Sequence, residues 1–319
     1  MEDLHDITYI GLEFNDFEVF KEAALKWSLD FKQLDSGKFS GDIGIIESPQ
    51  IQIGTTNLNR KLDQRGSTPA GYRTFIIPKL GVCNPYFWRG YEVSDNELLI
   101  QPQSRDFFSI TNPGWGIYTV SIAEDLVSDL LEKLKAPKLN VLDSSGEAVK
   151  LSPQAMKRLC RQLEFLFDMA KQDPSNLQKK VFMKIFTEEI PSMILNNIVT
   201  SKQLVSRPPL RIRDISFRKA INYLNSCNTE MPTVKELCLI SGSSERTMEY
   251  AFNGKYGFGP KEFIRKLLLN HVQKELTHAK PSTKVKDVAH RYGFSHLGQF
   301  AADYKKLFGE LPSETLTKG

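Results

Sequence analysis

Arg246, Glu249, Tyr250, Gln299, Lys305 and Lys306 bring hydrogen-bonding and charged groups together in the last quarter of the 319-residue chain. An arginine fork can bond guanine O6 and N7 together, a glutamine can read adenine through N6 and N7, and a glutamate can accept from cytosine N4. Lysines grip phosphate, which positions without specifying sequence. Spacing decides whether such groups can act together. Over 244–254, Met248 and Phe252 turn inward at a spacing of four, so Glu245, Arg246, Thr247, Glu249 and Tyr250 face outward. Over 293–309, Phe300, Tyr304 and Phe308 form the inner stripe. His296, Leu297, Gln299 and Ala302 surround the opposite face, with Lys305 and Lys306 behind them. Leu297 and Ala302 offer only apolar contact, suited to a thymine methyl.

These two faces belong to a repeat. VKELCLISG (234–242) aligns with VKDVAHRYG (285–293), each with glycine at the same offset. Downstream, Phe252, Tyr256, Gly257 and Pro260 correspond to Tyr304, Phe308, Gly309 and Pro312 with identical internal spacing. Each copy reads as helix, tight turn, helix, and two copies indicate a duplicated module rather than a solenoid. Thr233 and Glu236 match a capping box before the first copy, whereas Lys284 stands at the equivalent place in the second and predicts a weaker helix start. Gly242 and Gly293 supply the turns. Between the copies, PKEFIRKLLLNHVQKELTH (260–278) predicts one long helix spanning ~28 Å at ~1.5 Å per residue. That length approaches the ~34 Å turn of B-DNA that separates successive major-groove sites on one face. A core helix joining two bundles would have the same length.

Charge divides the chain in the same place. From Pro208 onward there are 18 Lys+Arg against 11 Asp+Glu, a net of +7, so the first 207 residues carry −3 of the overall +4. A basic C-terminal part is suited to a polyanion. Residues 1 to about 135 read mostly as short strands: IQIG (51–54), FIIP (75–78), ELLIQP (97–102) and WGIYTVSIA (115–123). Helical stretches are expected at 16–30 and 123–134. From Leu151 the period changes to helical. Ser152-Pro153 and Asp173-Pro174 are start signals for a helical pair over about 152–200, with Pro191 kinking or ending the second member. Leu177, Val181 and Ile185 form a stripe that is a candidate dimer interface. SRPPLRIR (206–213) reads as a linker. The expected architecture is α+β: a β-rich, barrel-like domain with a helical pair (1–205), then an all-α domain of two helix-turn-helix units (214–319).

GFSHLGQFAADYKKLFGELPSETL (293–316) resembles the C-terminal signature of the AraC/XylS family of bacterial transcription regulators. TVKELCLISGSSERTMEYAFNGKYGFGPKEFI (233–264) is similar to that family's first helix-turn-helix. The resemblance covers about 215–316. It implies a cytoplasmic activator or repressor, with an activator expected here, whose two recognition helices enter adjacent major grooves of promoter DNA. It also implies dimers, contact with RNA polymerase, and an N-terminal domain controlled by a small-molecule effector. A protein partner at that domain is the alternative. The family often carries longer basic or amide residues near Tyr250 and arginine near Gln299, so readout at those positions is expected to differ.

Enzymatic readings find little support. Residues 1–207 contain only His5, too few histidines for a cupin-like metal enzyme, and the pairs His271/His278 and His290/His296 are spaced wrongly for chelation on one helix face. There is no Ser/His/Asp order, Walker loop or GxGxxG. Cys83, Cys160, Cys227 and Cys238 form no CxxC, which argues against a disulfide framework or zinc site and fits a reducing cytoplasm. No metal, cofactor, signal peptide or membrane span is expected. Trp88, Arg89, Tyr91 and Trp115, in and near NPYFWRGYEV, are candidates for an effector pocket, with aromatic core as the plainer reading.

Overall fold

In a computed structural model, residues 7–17, 20, 27–81, 86–101, 106–136, 148–201, 204–205 and 212–318 are described. The N-terminal strands are β1 (Thr8–Phe14), β2 (Ser28–Gln33), β3 (Gly41–Glu47), β4 (Ile51–Leu58), β5 (Leu62–Ser67), β6 (Tyr72–Pro78), β7 (Tyr86–Trp88), β8 (Tyr91–Val93), β9 (Glu97–Gln101), β10 (Asp106–Ile110), β11 (Trp115–Ala123), β12 (Ala148–Lys150) and β13 (Leu204–Val205). They build two sheets, ordered β1-β3-β4-β11-β6-β9-β12-β13 and β2-β5-β10-β7-β8. The β-rich expectation is met as two facing sheets rather than one closed barrel.

Strand β11 shows why both faces of the larger sheet are apolar. Tyr118, Val120 and Ile122 point to a core shared with helices, while Trp115 and Ile117 point to the core between the sheets. Helix α1 (Glu124–Lys133) follows directly. Helix α2 (Pro153–Gln172) begins where Ser152 accepts from the Ala155 N–H and proline occupies the first turn, so its start follows the sequence signal. After Asp173 the chain runs through a 3₁₀ turn (Pro174–Gln178), α3 (Lys180–Lys184), a π turn (Ile185–Glu189) and α4 (Ile190–Thr200). Pro191 therefore does not end the run. The π turn just before it shifts the hydrogen-bond register that the proline, lacking an N–H, would otherwise break.

Two expectations need correction or lie outside the description. The helix expected over 16–30 gives way at Ser28–Asp30, which belong to β2 and pair with Ser67, Gly66 and Arg65 of β5. Leu29 and Phe31 alternate inward there, so a period of two overrides the helical pattern; residues 18–19 and 21–26 lie outside the described residues. Of the expected linker 206–213, residues 206–211 lie outside the description, and Ile212 already begins a helix.

The C-terminal half is helical: α5 (Ile212–Ser226), α6 (Val234–Ser241), α7 (Glu245–Tyr256), α8 (Pro260–Thr277), α9 (Val285–Arg291), α10 (Leu297–Phe308) and α11 (Pro312–Lys318). Helices α5 to α7 and the first half of α8 close one core around Phe217, Phe252, Tyr256 and Phe263. The second half of α8 closes another with α9 to α11 around Val272, Phe300, Tyr304 and Phe308. One helix thus serves both units. No helix among the described residues is long and apolar enough to cross a membrane.

Candidate nucleic-acid interface

The first unit is positioned by well-made helix ends. Thr233 Oγ1 accepts from the Glu236 N–H, and the Glu236 carboxylate accepts from the Thr233 N–H, so both halves of the capping box form. Gly242 ends α6 at φ 66°, a left-handed conformation that a side chain would strain. Ser244 then accepts from the Thr247 N–H to start α7. Met248, Ala251, Phe252 and Tyr256 are buried beneath α7, and Phe217 meets Phe252 edge-on at 5.1 Å.

The opposite face of α7 is open. Arg246, Glu249 and Tyr250 are exposed and Thr247 is half-buried. Arg246 and Tyr250 form a pair: the guanidinium lies 5.6 Å from the ring centre, and Nη2 donates to Tyr250 Oη over 3.5 Å. Tyr250 therefore lies against the arginine fork and orients it. Glu249 is partly engaged within the protein. Its Oε2 accepts from Asn253 Nδ2 at 3.2 Å, and a Cβ on Gly259 would meet that oxygen at 2.4 Å, so the carboxylate leans back over the turn into α8.

The second unit is built the same way with weaker punctuation. Lys284 makes no side-chain cap for α9, and His296 makes none for α10. Burial pushes the Tyr304 hydroxyl pKa upward, and that hydroxyl lies 2.8 Å from Thr315 Oγ1, tying α10 to α11. His296, Leu297, Gln299, Ala302, Lys305 and Lys306 are all exposed. Gln299 carries a constraint: its Nε2 donates to Asp303 Oδ1 at 2.9 Å, and Asp303 also accepts from Arg265 of α8. The Gln299/Asp303 spacing of four is legible in the sequence; the reach from Arg265 is not. The two lysines sit in the last turn of α10, where the helix dipole favours positive charge.

The N-terminal candidates separate. Trp88 and Trp115 line one cavity between the two sheets. Arg89 does not: at φ 52° in the β7–β8 turn, its backbone N–H donates to Phe108 O and its Nη2 to Asp106 O. Tyr91 is half-buried on β8 and is also absent from the lining. The dimer stripe is divided too. Leu177 and Ile185 are buried in the core that the helices share with the larger sheet, and only Val181 is exposed, at 52%. A helix face spent on its own domain leaves little for a second subunit in this arrangement.

Sequence reasoning missed how closely the two halves join. The Tyr256 hydroxyl donates to Asp63 Oδ2 at 2.6 Å, and burial, followed by the Asp63 charge, holds its pKa well above the usual tyrosine value. Asn270 of α8 bonds both backbone groups of Gln33, accepting at 2.7 Å and donating at 2.9 Å. Gln33 Nε2 and the Gly37 N–H both donate to Leu307 O in α10. Leu34 and Ile110 of the N-terminal half share the core of the first helical unit.

Helices, turn glycines and exposed second-helix faces define a duplicated helix-turn-helix. Residues 237–318 match the model of a helix-turn-helix domain family. A probable thc operon regulatory protein of Rhodococcus erythropolis is 33% identical over 100 residues, 31% of this chain and 30% of that protein. A XylDLEGF operon transcriptional activator of Pseudomonas putida is 32% identical over 128 residues, 37% of this chain and 39% of the activator. The match thus spans roughly a third of each of these curated relatives. A crystal structure of a probable AraC family transcriptional regulator from Rhodopseudomonas palustris is 34% identical and covers 32% of this chain and 95% of its own, with a TM-score of 0.31. The C-terminal region thus carries a helix-turn-helix domain, similar in sequence to the corresponding part of these operon regulators.

Proposed function

We propose that the chain is a DNA-binding regulator of transcription, acting as an activator, with its N-terminal domain as the controlling part. The observation that carries this reading is the pair of exposed faces on α7 and α10, one on each helix-turn-helix unit and both anchored to α8. On this reading α7 supplies base choice through Arg246, and α10 supplies mainly backbone affinity through Lys305 and Lys306. Gln299, held by Asp303, must exchange that bond for one to adenine. The relatives' names, an operon regulatory protein and an operon transcriptional activator, support the regulatory role. Small-molecule control fits the cavity holding Trp88 and Trp115 better than it fits Arg89 or Tyr91.

The test is selection of bound sites from genomic fragments followed by hydroxyl-radical footprinting of the purified chain. The reading predicts two protected tracts on one face of the duplex, about 10 base pairs apart from centre to centre. A single tract would mean that only one unit engages DNA, and uniform weak protection would remove the specific regulator altogether.

A further inference from the structure

Lys32, Lys61, Lys79, Lys255 and Lys266 are the buried or half-buried lysines among the described residues. Three of them hold a carboxylate: Lys32 that of Asp30 at 2.6 Å, Lys255 that of Asp214 at 3.1 Å and Lys266 that of Glu262 at 2.8 Å. Lys61 donates to Tyr256 O within the joint between the two halves. Lys79 is placed differently. Its Nζ donates to the neutral Asn57 Oδ1 at 2.8 Å and lies 4.8 Å from the ring centre of Tyr118, and no carboxylate of the described residues is within ion-pair reach. An ammonium set into protein without a carboxylate loses hydration that nothing replaces, which favours the uncharged amine.

The larger sheet builds this environment. Asp42 of β3, Asn57 of β4 and Gly116 of β11 stand side by side across it, and just past the end of β6 the Lys79 N–H donates to Gly116 O. A Cβ on Gly116 would meet Asn57 Oδ1 at 2.7 Å and Lys79 Cδ at 3.1 Å, so the glycine clears the lane by which the lysine reaches Asn57. Asn57 is held in turn: its Nδ2 donates to Asp42 Oδ1 at 2.7 Å, which leaves its oxygen for the amine. Helix α2 lies alongside, with Phe167 stacked on Tyr118 and Cys160 Sγ donating to Pro78 O at 3.6 Å. Burial, the largest influence, lowers the Lys79 pKa to about 8; Asp42 and Glu164 act against it and Lys171 with it. Burial also pushes the Cys160 thiol up to about 11, so the thiol stays protonated and the amine is the nucleophile of the pair. Leu80, the next residue, is 43% exposed, and Asn57 and Asp42 also line an open depression of about 600 Å³.

We propose that Lys79 is a covalent modification site, at which Nζ forms an imine with a small uncharged aldehyde. The nitrogen lone pair attacks the carbonyl carbon, a C–N bond forms, and the carbonyl oxygen leaves as water with the two amine hydrogens; nothing is oxidised or reduced. The imine takes a proton from solvent, and the resulting iminium carries a single N–H. One acceptor, Asn57 Oδ1, and one ring face, that of Tyr118, match this cation. An acylated lysine would keep the bond to Asn57 and forfeit the attraction to the ring. An anionic aldehyde would meet Glu13 and Asp42 in the depression.

Limiting propanal with cyanoborohydride, added to the full chain, tests this. Hydride fixes each iminium as a secondary amine, and peptide mass spectrometry reads the yield at every lysine. A pKa of about 8, against about 10.4 for an amine in water, raises the free amine at pH 7 on the order of a hundredfold. Weaker basicity and partial burial return some of that, so Lys79 should be labelled about tenfold faster than exposed Lys157 and Lys305. The ratio should be largest below about pH 8, shrink as pH rises toward about 10, and vanish in concentrated urea. Asn57→Asp supplies the missing carboxylate and should slow Lys79 about tenfold with Lys157 unchanged. Should that variant fail to fold, the pH profile of the parent decides. Glyoxylate in place of propanal should show a smaller preference for Lys79. Labelling of Lys79 no faster than of Lys157 overturns the site, and a preference that survives urea overturns the part played by the fold. A ratio independent of pH overturns the free amine as the cause, and an equal preference with glyoxylate overturns the uncharged class.

Discussion

Lys305 stands exposed in the last turn of α10 beside Lys306, with no base-reading geometry of its own. Lys305→Ala should weaken specific and random DNA equally and reduce the slope of log affinity against log salt by about 1, as titrations at several salt concentrations would show. His271 makes a different prediction. Its Nδ1 lies 2.9 Å from Asn228 O and so carries the proton of the neutral ring. Burial, with a smaller contribution from the Lys32 charge, holds its pKa below the usual imidazole value. The unfolded chain therefore takes up the proton first. Stability is independent of His271 above the unfolded value of about 6.5 and falls as pH drops below it. The urea midpoint should fall from pH 7 to about 5.5 in the parent and fall less in His271→Gln; parallel slopes would remove His271 as the cause.

At the scale of elements, the two copies of the repeat differ most at their starts. Thr233→Ala should cost about 1 kcal/mol, because it breaks the capping box of α6. Lys284→Ser should stabilise by a comparable amount, because α9 begins without a side-chain cap. Denaturant unfolding of the two variants checks both signs. This much was legible from residues alone: turn glycines, caps and aromatic stripes are local, and the second copy repeats the first. Where local signals compete, reading fails. Leu29 and Phe31 alternate as a strand inside a stretch that also fits a helical period. The π turn before Pro191 has no marker except the proline it accommodates.

Across the whole molecule, the joint between halves was invisible because its partners lie far apart in sequence. Tyr256 and Asp63 are 193 residues apart, and Asn270 and Gln33 are 237 apart. Of the candidate pocket residues, Trp88 and Trp115 line the cavity between the sheets, in keeping with their aromatic grouping in the sequence. Arg89 was misplaced because its left-handed backbone turns it away, and φ cannot be read from an arginine. Tyr256→Phe leaves Asp63 buried without that donor and should lower stability by about 1.5–3 kcal/mol, the usual worth of a hydrogen bond to a charged group. If unfolding is monitored by tryptophan emission, which reports the N-terminal half, the loss appears only where the two halves unfold together. Circular dichroism of the helices should then move in step.

The central claim is that α7 chooses the site and α10 mainly holds it. Affinity of Arg246→Ala for a footprinted site and for random DNA, at one salt concentration, tests this most directly. The account predicts a loss of about 1–3 kcal/mol on the specific site with random binding nearly unchanged. An equal loss on both would contradict it, reducing Arg246 to one more phosphate contact.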